Sequence, residues 1–215
     1  MHLSPVEVRI LGALVEKEAT TPDNYPLSLN ALTNACNQTS NRDPVMDLDE
    51  NAVRNAVNSL RQQSLVRAVQ HSGSRVMKFQ HLVNERLSLD APALGVMCVL
   101  MLRGPQTGGE IRGRTNRLAE FASVADVEAV LESLSGQGLV VQLARRPGQK
   151  EARYAHLLSG APPADIADDA ESPTEPVPAV RGADRIASLE TAVADLRGEV
   201  ADLRAKLDDL VRQFE

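Results

Sequence analysis

The sequence predicts a mainly α-helical protein with small β-hairpins, an α+β chain of two tandem winged-helix domains, a linker and a C-terminal coiled coil. Three observations carry that expectation: an internal repeat over residues 1–160, a proline-rich acidic stretch after it, and an unbroken heptad at the end.

The repeat is read from matched positions. Leu3, Ser4, Ile10, Leu11, Leu14 and Lys17 match Leu89, Asp90, Val96, Met97, Leu100 and Arg103 at a constant offset of 86. Val53, Val57, Leu60, Leu65 and Val66 match Val127, Leu131, Leu134, Leu139 and Val140 at an offset of 74, and Lys78–Leu82 matches Arg153–Leu157 at 75. Two domains of one kind are expected, 1–85 and 86–160, the first carrying 12 extra residues in its middle.

Each copy reads as a helix, a short helix, a third helix and two strands. Ser4-Pro5-Val6-Glu7 opens the first helix with an N-cap, an early proline and a capping-box glutamate. Leu29, Leu32 and Cys36 line one side of the second helix. Asp49 caps the third, whose buried stripe is Val53, Val57 and Leu60. Val66–Gln70 and Val76–Gln80 form a hairpin around His71-Ser72-Gly73-Ser74. In the second copy Ser123 caps the third helix and Arg146-Pro147-Gly148-Gln149 makes the hairpin tip. Three helices followed by a hairpin is the winged-helix arrangement.

The last quarter of the chain divides in two. Residues 161–183 hold Pro162, Pro163, Pro173, Pro176 and Pro178 among Asp, Glu and Ala, with no apolar period. Such a segment buries too little surface to offset its ordering entropy, so an extended linker is expected. Residues 184–215 then place Ile186, Leu189, Val193, Leu196, Val200, Leu203, Leu207, Leu210 and Phe214 at alternating steps of 3 and 4. Mostly β-branched a positions with Leu at d favour a two-stranded coil, so these residues are expected to join two copies into a homodimer. Arg185 with Glu190 and Glu199 with Arg204 supply flanking charges of opposite sign. The alternative is a lone amphipathic helix docked on its own domain.

Composition narrows the function. The 215 residues carry a net charge of -6, but residues 1–85 account for -1, residues 86–160 for +2 and residues 161–215 for -7. The acidity belongs to the tail, so it neither excludes nor supports a nucleic-acid partner for the folded part. Aromatic residues are 2% of the chain, which counts against single-strand platforms built on base stacking. The longest apolar run, Ala93–Leu102, is too short to cross a bilayer, and the N-terminus lacks a basic-then-apolar leader, so a cytoplasmic location without a membrane partner is expected. Cys36 and Cys98 cannot build a disulfide framework or a zinc cluster, and both sit in apolar surroundings as core residues would. His2, His71, His81 and His156 are scattered, with His81 and His156 at equivalent repeat positions that imply a structural role. No phosphate-binding glycine loop or metal-ligand spacing occurs, so no cofactor, no metal and no enzymatic activity are expected.

Asparagine is the one unusual residue. Eight of the ten fall between Asn24 and Asn58. Asn30, Asn34, Asn37 and Asn41 recur at helical spacing opposite the apolar side of the second helix. On the third helix, Asn51, Asn55, Asn58 and Gln62 lie opposite the buried stripe, flanked by Arg54 and Arg61. Asparagine is a poor helix former, so such a face carries a propensity cost. Amide side chains pair with the adenine edge in the major groove, arginine contacts guanine or phosphate, and Arg75 and Lys78 on the first hairpin are placed to reach the backbone. Double-stranded DNA is the partner this pattern points to; the alternative is a neutral polar face that solvates or meets a protein. The third helix of the second copy offers Ala125, Glu128, Ala129 and Glu132 instead, and its carboxylates would repel phosphate. Positive charge there lies at Arg112, Arg114 and Arg117 and at Arg145, Arg146 and Lys150.

The most individual stretches are Thr20–Ser28, TTPDNYPLS, and Ala35–Met46, ACNQTSNRDPVM. With Leu102-Arg103-Gly104, Gln106-Thr107 and the Arg153-Tyr154 to His156-Leu157 strand, they make the chain resemble the YceH-like family of bacterial proteins, a group of unknown function. The resemblance covers residues 1–160 closely and extends to the closing heptads. It implies tandem winged helices and brings no catalytic residues with it. Ala91-Pro92-Ala93 departs from the pattern, since a glutamate equivalent to Glu7 is missing there.

Overall fold

The computed structural model describes residues 2–70, 76–145 and 151–161, all within the first of two units that divide the chain after Asp169. The linker prolines and the heptad residues from Ile186 to Phe214 lie outside the described residues, as do both hairpin tips.

The described unit is α+β, with helices packed around two small antiparallel sheets. Its element order runs twice. The first pass is α1 (Pro5–Thr20), β1 (Leu27–Ser28), α2 (Leu29–Cys36), α3 (Glu50–Gln62), β2 (Val66–Val69) and β3 (Lys78–His81). After α4 (Val83–Leu87), the second is α5 (Ala91–Arg103), β4 (Gln106–Thr107), α6 (Gly108–Thr115), α7 (Val124–Gly136), β5 (Val140–Gln142) and β6 (Arg153–His156). The sheet orders are β1-β3-β2 and β4-β6-β5, and the registers correspond: Val66 faces His81 and Val140 faces His156.

Local chemistry sets the helix starts. Ser4 and Glu7 close a capping box on α1, Asp49 caps α3, and Ser123 with Asp126 boxes α7. Asp90 caps α5 alone, because no acid follows at the third helical position. The short strands β1 and β4 and the helix α4 were not expected from the sequence, since two or five residues are too few to show a period. The residue boundary at 85/86 falls inside α4.

The 12 extra residues of the first copy are distributed. Three extend the end of α1, four lengthen the α1–β1 connection, and five lengthen the α2–α3 loop to Asn37–Asp49 against Asn116–Ser123.

The two copies share one core. Residues Glu7–Val15 of α1 and Gly95–Leu102 of α5 are buried without a break, because each helix packs on its own copy and on the other. A helix apolar all round is a buried one, which accounts for the Ala93–Leu102 run. Gly12 and Cys98 are equivalent under the offset of 86, and they meet at the crossing, where Cys98 Sγ lies 3.5 Å from the Gly12 carbonyl oxygen. A Cβ on Gly12 would come within 2.8 Å of Leu102, so only glycine permits that approach. Among the described residues, no helix is long and apolar enough to cross a membrane.

Candidate nucleic-acid interface

Helix α3 shows a sharp division. Val53, Val57 and Leu60 are buried, while Asn51, Arg54, Asn55, Asn58, Arg61 and Gln62 are all exposed. The amide and guanidinium face is therefore solvent-facing, as its spacing implied. Asp49 holds the start of the helix by accepting from the Ala52 N–H at 2.8 Å. Three of the six are engaged within the helix: Arg54 Nη2 donates to Glu50 Oε1 at 2.6 Å, and Arg61 Nη1 donates to Asn58 Oδ1 at 3.4 Å. Both contacts are exposed, so water and counterions compete with them and they open at little cost. Asp47, Asp49 and Glu50 stand exposed around the N-terminal end of α3, so the face runs from acidic to amide and basic along the helix.

Lys78 begins β3, half-buried and opposite Val69 and Ser28. Arg75 lies outside the described residues.

The second asparagine row is corrected by the structure. Asn30 and Asn34 share an exposed face and a 3.3 Å hydrogen bond, but α2 ends at Cys36, and Asn37 and Asn41 belong to the loop. The Asn37 amide clamps Leu48, donating to its carbonyl and accepting from its N–H, both at 2.9 Å. Asn41 takes a left-handed backbone, φ 59°, and accepts from the Arg103 guanidinium of the second copy. These two amides are structural because they satisfy backbone and side chains across the longer loop.

That loop is anchored by two buried arginines that sequence reasoning passed over. The Arg42 side chain is fully buried and grips Glu16 through Nη1 at 3.1 Å and Nη2 at 2.7 Å, while also donating to the Ala35 carbonyl. Burial pushes the Glu16 carboxyl up, but hydrogen bonding and charge from Arg42 outweigh it and hold the pKa below the usual carboxylate value. Arg9, in α1, donates to the carbonyls of Cys36 at 3.0 Å and Pro44 at 2.5 Å. The Asp43 N–H donates to the Leu102 carbonyl at 2.9 Å, tying the loop to the end of α5. A lone charge on the buried side of a helix was the available signal for Arg9, because such a residue needs a partner. Arg42 had no periodic signal.

The histidines occupy equivalent positions in different surroundings. His81 Nδ1 accepts from the Val83 N–H at 3.3 Å, which leaves Nε2–H to donate to Glu18 at 2.8 Å. Burial lowers its pKa, with Glu18 opposing. His156 has no such acid: its Nδ1 is buried without a partner, and burial takes its pKa down to about 4.

Cys36 and Cys98 are both buried, and burial raises both thiol pKa values, Cys36 to about 12. The thiolate is thereby disfavoured. Among the described residues, no group of three or more His, Cys, Asp or Glu is placed to hold a metal ion.

The corresponding face of α7 exposes Ala125, Glu128, Ala129 and Glu132. Arg112 is spent on the carbonyls of Phe121 and Ala122, Arg114 lies 3.8 Å from Glu110, and Arg117 and Arg145 are exposed. Arg146 and Lys150 lie outside the described residues.

Residues 3–149 match the family described as "Protein of unknown function, DUF480". A UPF0502 protein of Pelobacter propionicus is 52% identical across all of this chain and 99% of its own length. UPF0502 proteins of Herminiimonas arsenicoxydans, 50% identical over 86% of this chain and 79% of the relative, and of Aliivibrio fischeri, 48% identical over 89% and 90%, are similar in the same way. The match over most of the chain and the identity to these relatives lead to one conclusion: this protein belongs to the DUF480 family, and its bacterial relatives include the UPF0502 proteins.

Proposed function

We propose that each half of the described unit is a winged helix, and that the protein is a non-catalytic, cytoplasmic DNA-binding regulator that reads double-stranded DNA through α3. The observation that carries this reading is the exposed face of Asn51, Asn55, Asn58 and Gln62 with Arg54 and Arg61. It lies on the third helix, the one a helix-turn-helix protein inserts in the major groove. Amides at that position serve as paired donor and acceptor for adenine, and the arginines serve guanine or phosphate. The C-terminal heptad, from Ile186 to Leu210, would pair two such readers and so match a two-fold operator.

A second reading is a protein-binding adaptor. Asp47, Asp49 and Glu50 favour it, because they crowd the end of α3 that enters the groove first and would repel phosphate.

Fluorescence anisotropy with sheared genomic DNA at low and moderate salt separates the two. The DNA reading expects salt-dependent binding that Arg54→Ala and Arg61→Ala each weaken by about 1–3 kcal/mol where the contact is to a base, or with a shallower salt slope where it is to phosphate. Absence of binding at micromolar protein in low salt would leave the adaptor reading. Light scattering on the full chain and on a chain ending at Gly160 tests the dimer: the first is expected to be a dimer and the second a monomer.

A further inference from the structure

A cavity of about 380 Å³ lies at the seam between the two copies, walled mainly by apolar side chains such as Pro44, Met46 and Met101. Arg9 and His156 also line it, and each carries a buried polar atom without a partner, Arg9 Nε and His156 Nδ1. Arg9 is only 1% exposed, and among the described residues no carboxylate forms an ion pair with it. Its two hydrogen bonds go to neutral carbonyls, and the nearby Arg42 already holds Glu16. The charge of Asp43, at the cavity rim, favours the Arg9 cation from a distance without pairing with it directly, and a buried charge is normally paired in contact.

The first copy indicates what is missing. There the equivalent histidine, His81, is met by the Glu18 carboxylate at 2.8 Å. Under the offset of 86, Glu18 corresponds to Gly104, and Gly104 lines this cavity. At the seam the second copy thus brings its histidine but no acid of its own, and what it meets there is Arg9 of the first copy, whose Nε has no partner.

We propose that the cavity binds a small organic monocarboxylate, its apolar body against Met46 and Met101 and its carboxylate against Arg9, with His156 as second polar contact. A single negative charge on an apolar body is what one cation in an apolar chamber selects. The exposed Asp43 at the rim disfavours a second. The site stands whether or not α3 meets DNA. A ligand there would bridge α1, the long loop and β6, so it would bias the relative placement of the two copies.

Titrating the ¹⁵N-labelled full chain with hexanoate and phenylacetate, and in parallel with hexanamide and phenylacetamide, tests this. Saturable movement of the His156 imidazole resonances is expected, with the acids binding about ten- to a hundredfold more tightly than the amides, as a charge-assisted bond to Arg9 implies. Arg9→Met is expected to abolish that preference. Should that variant not fold, Asp43→Asn serves instead and is expected to tighten acid binding about twofold by removing a like charge. No saturable response to either acid, or amides binding as well as acids, would overturn the proposal.

Discussion

Replacing Glu16 by Leu is the sharpest test of how the long loop is held. The change removes two charge-assisted hydrogen bonds, at 3.1 and 2.7 Å, and leaves the fully buried Arg42 guanidinium with carbonyl and amide partners only. Charged hydrogen bonds contribute about 1.5–3 kcal/mol each, and breaking a buried pair from one side costs about 3–5 kcal/mol. Glu16 keeps 13% of its side chain exposed, so the lower end is expected, about 3 kcal/mol, or roughly 10 °C in Tm for a unit of this size. Urea unfolding of Glu16→Leu, Arg42→Met and the double variant supplies the assay. The double variant is expected to lose at least 2 kcal/mol less than the sum of the singles, because it leaves no stranded charge. The pH dependence has a definite sign. The folded-state pKa of Glu16 lies below its ordinary value, so its contribution is present above that ordinary value and disappears as pH falls through the folded one. Single-variant costs that add to within about 0.5 kcal/mol, or a Glu16→Leu cost under about 1 kcal/mol, would refute the reasoning.

Other outcomes follow from the same structure. Gly12→Val is expected to destabilise by about 2 kcal/mol, since its Cβ alone would stand 2.8 Å from buried Leu102, whereas Gly113→Ala on α6 meets nothing within 4 Å and should gain about 0.5–1 kcal/mol; thermal melts decide both. Asn37→Ala strands the Leu48 N–H and carbonyl, which should cost about 2 kcal/mol and speed hydrogen exchange at the Leu48 amide. The pKa of His156 falls from 6.5 to about 4 on folding, so the unfolded chain takes up a proton between those values that the folded chain refuses. Stability should therefore drop by up to about 3 kcal/mol from pH 7 to pH 4, and His156→Gln should flatten that slope in urea titrations.

What the amino-acid sequence determined by itself is whatever depends on neighbours three or four residues away. The caps of α1, α3 and α7, the split of α3 between Val53-Val57-Leu60 and its amide face, and the repeat of element order were all legible. They express a helical period or a side chain reaching its own helix end, interactions that need no distant partner. The two-residue strands β1 and β4 were not legible, because each exists only through pairing with β3 or β6, some fifty residues on. Nor was the fate of Asn37 and Asn41: their spacing continued a helix that the chain leaves at Cys36, once their amides found Leu48 and Arg103. The tertiary structure alone decided that α1 and α5 are buried on all sides, since each copy supplies the other's missing wall. It also decided that Arg42 forms an ion pair while, among the described residues, Arg9 forms none. Which carboxylate reaches a buried cation depends on the folded path of a loop, and no local period encodes that path.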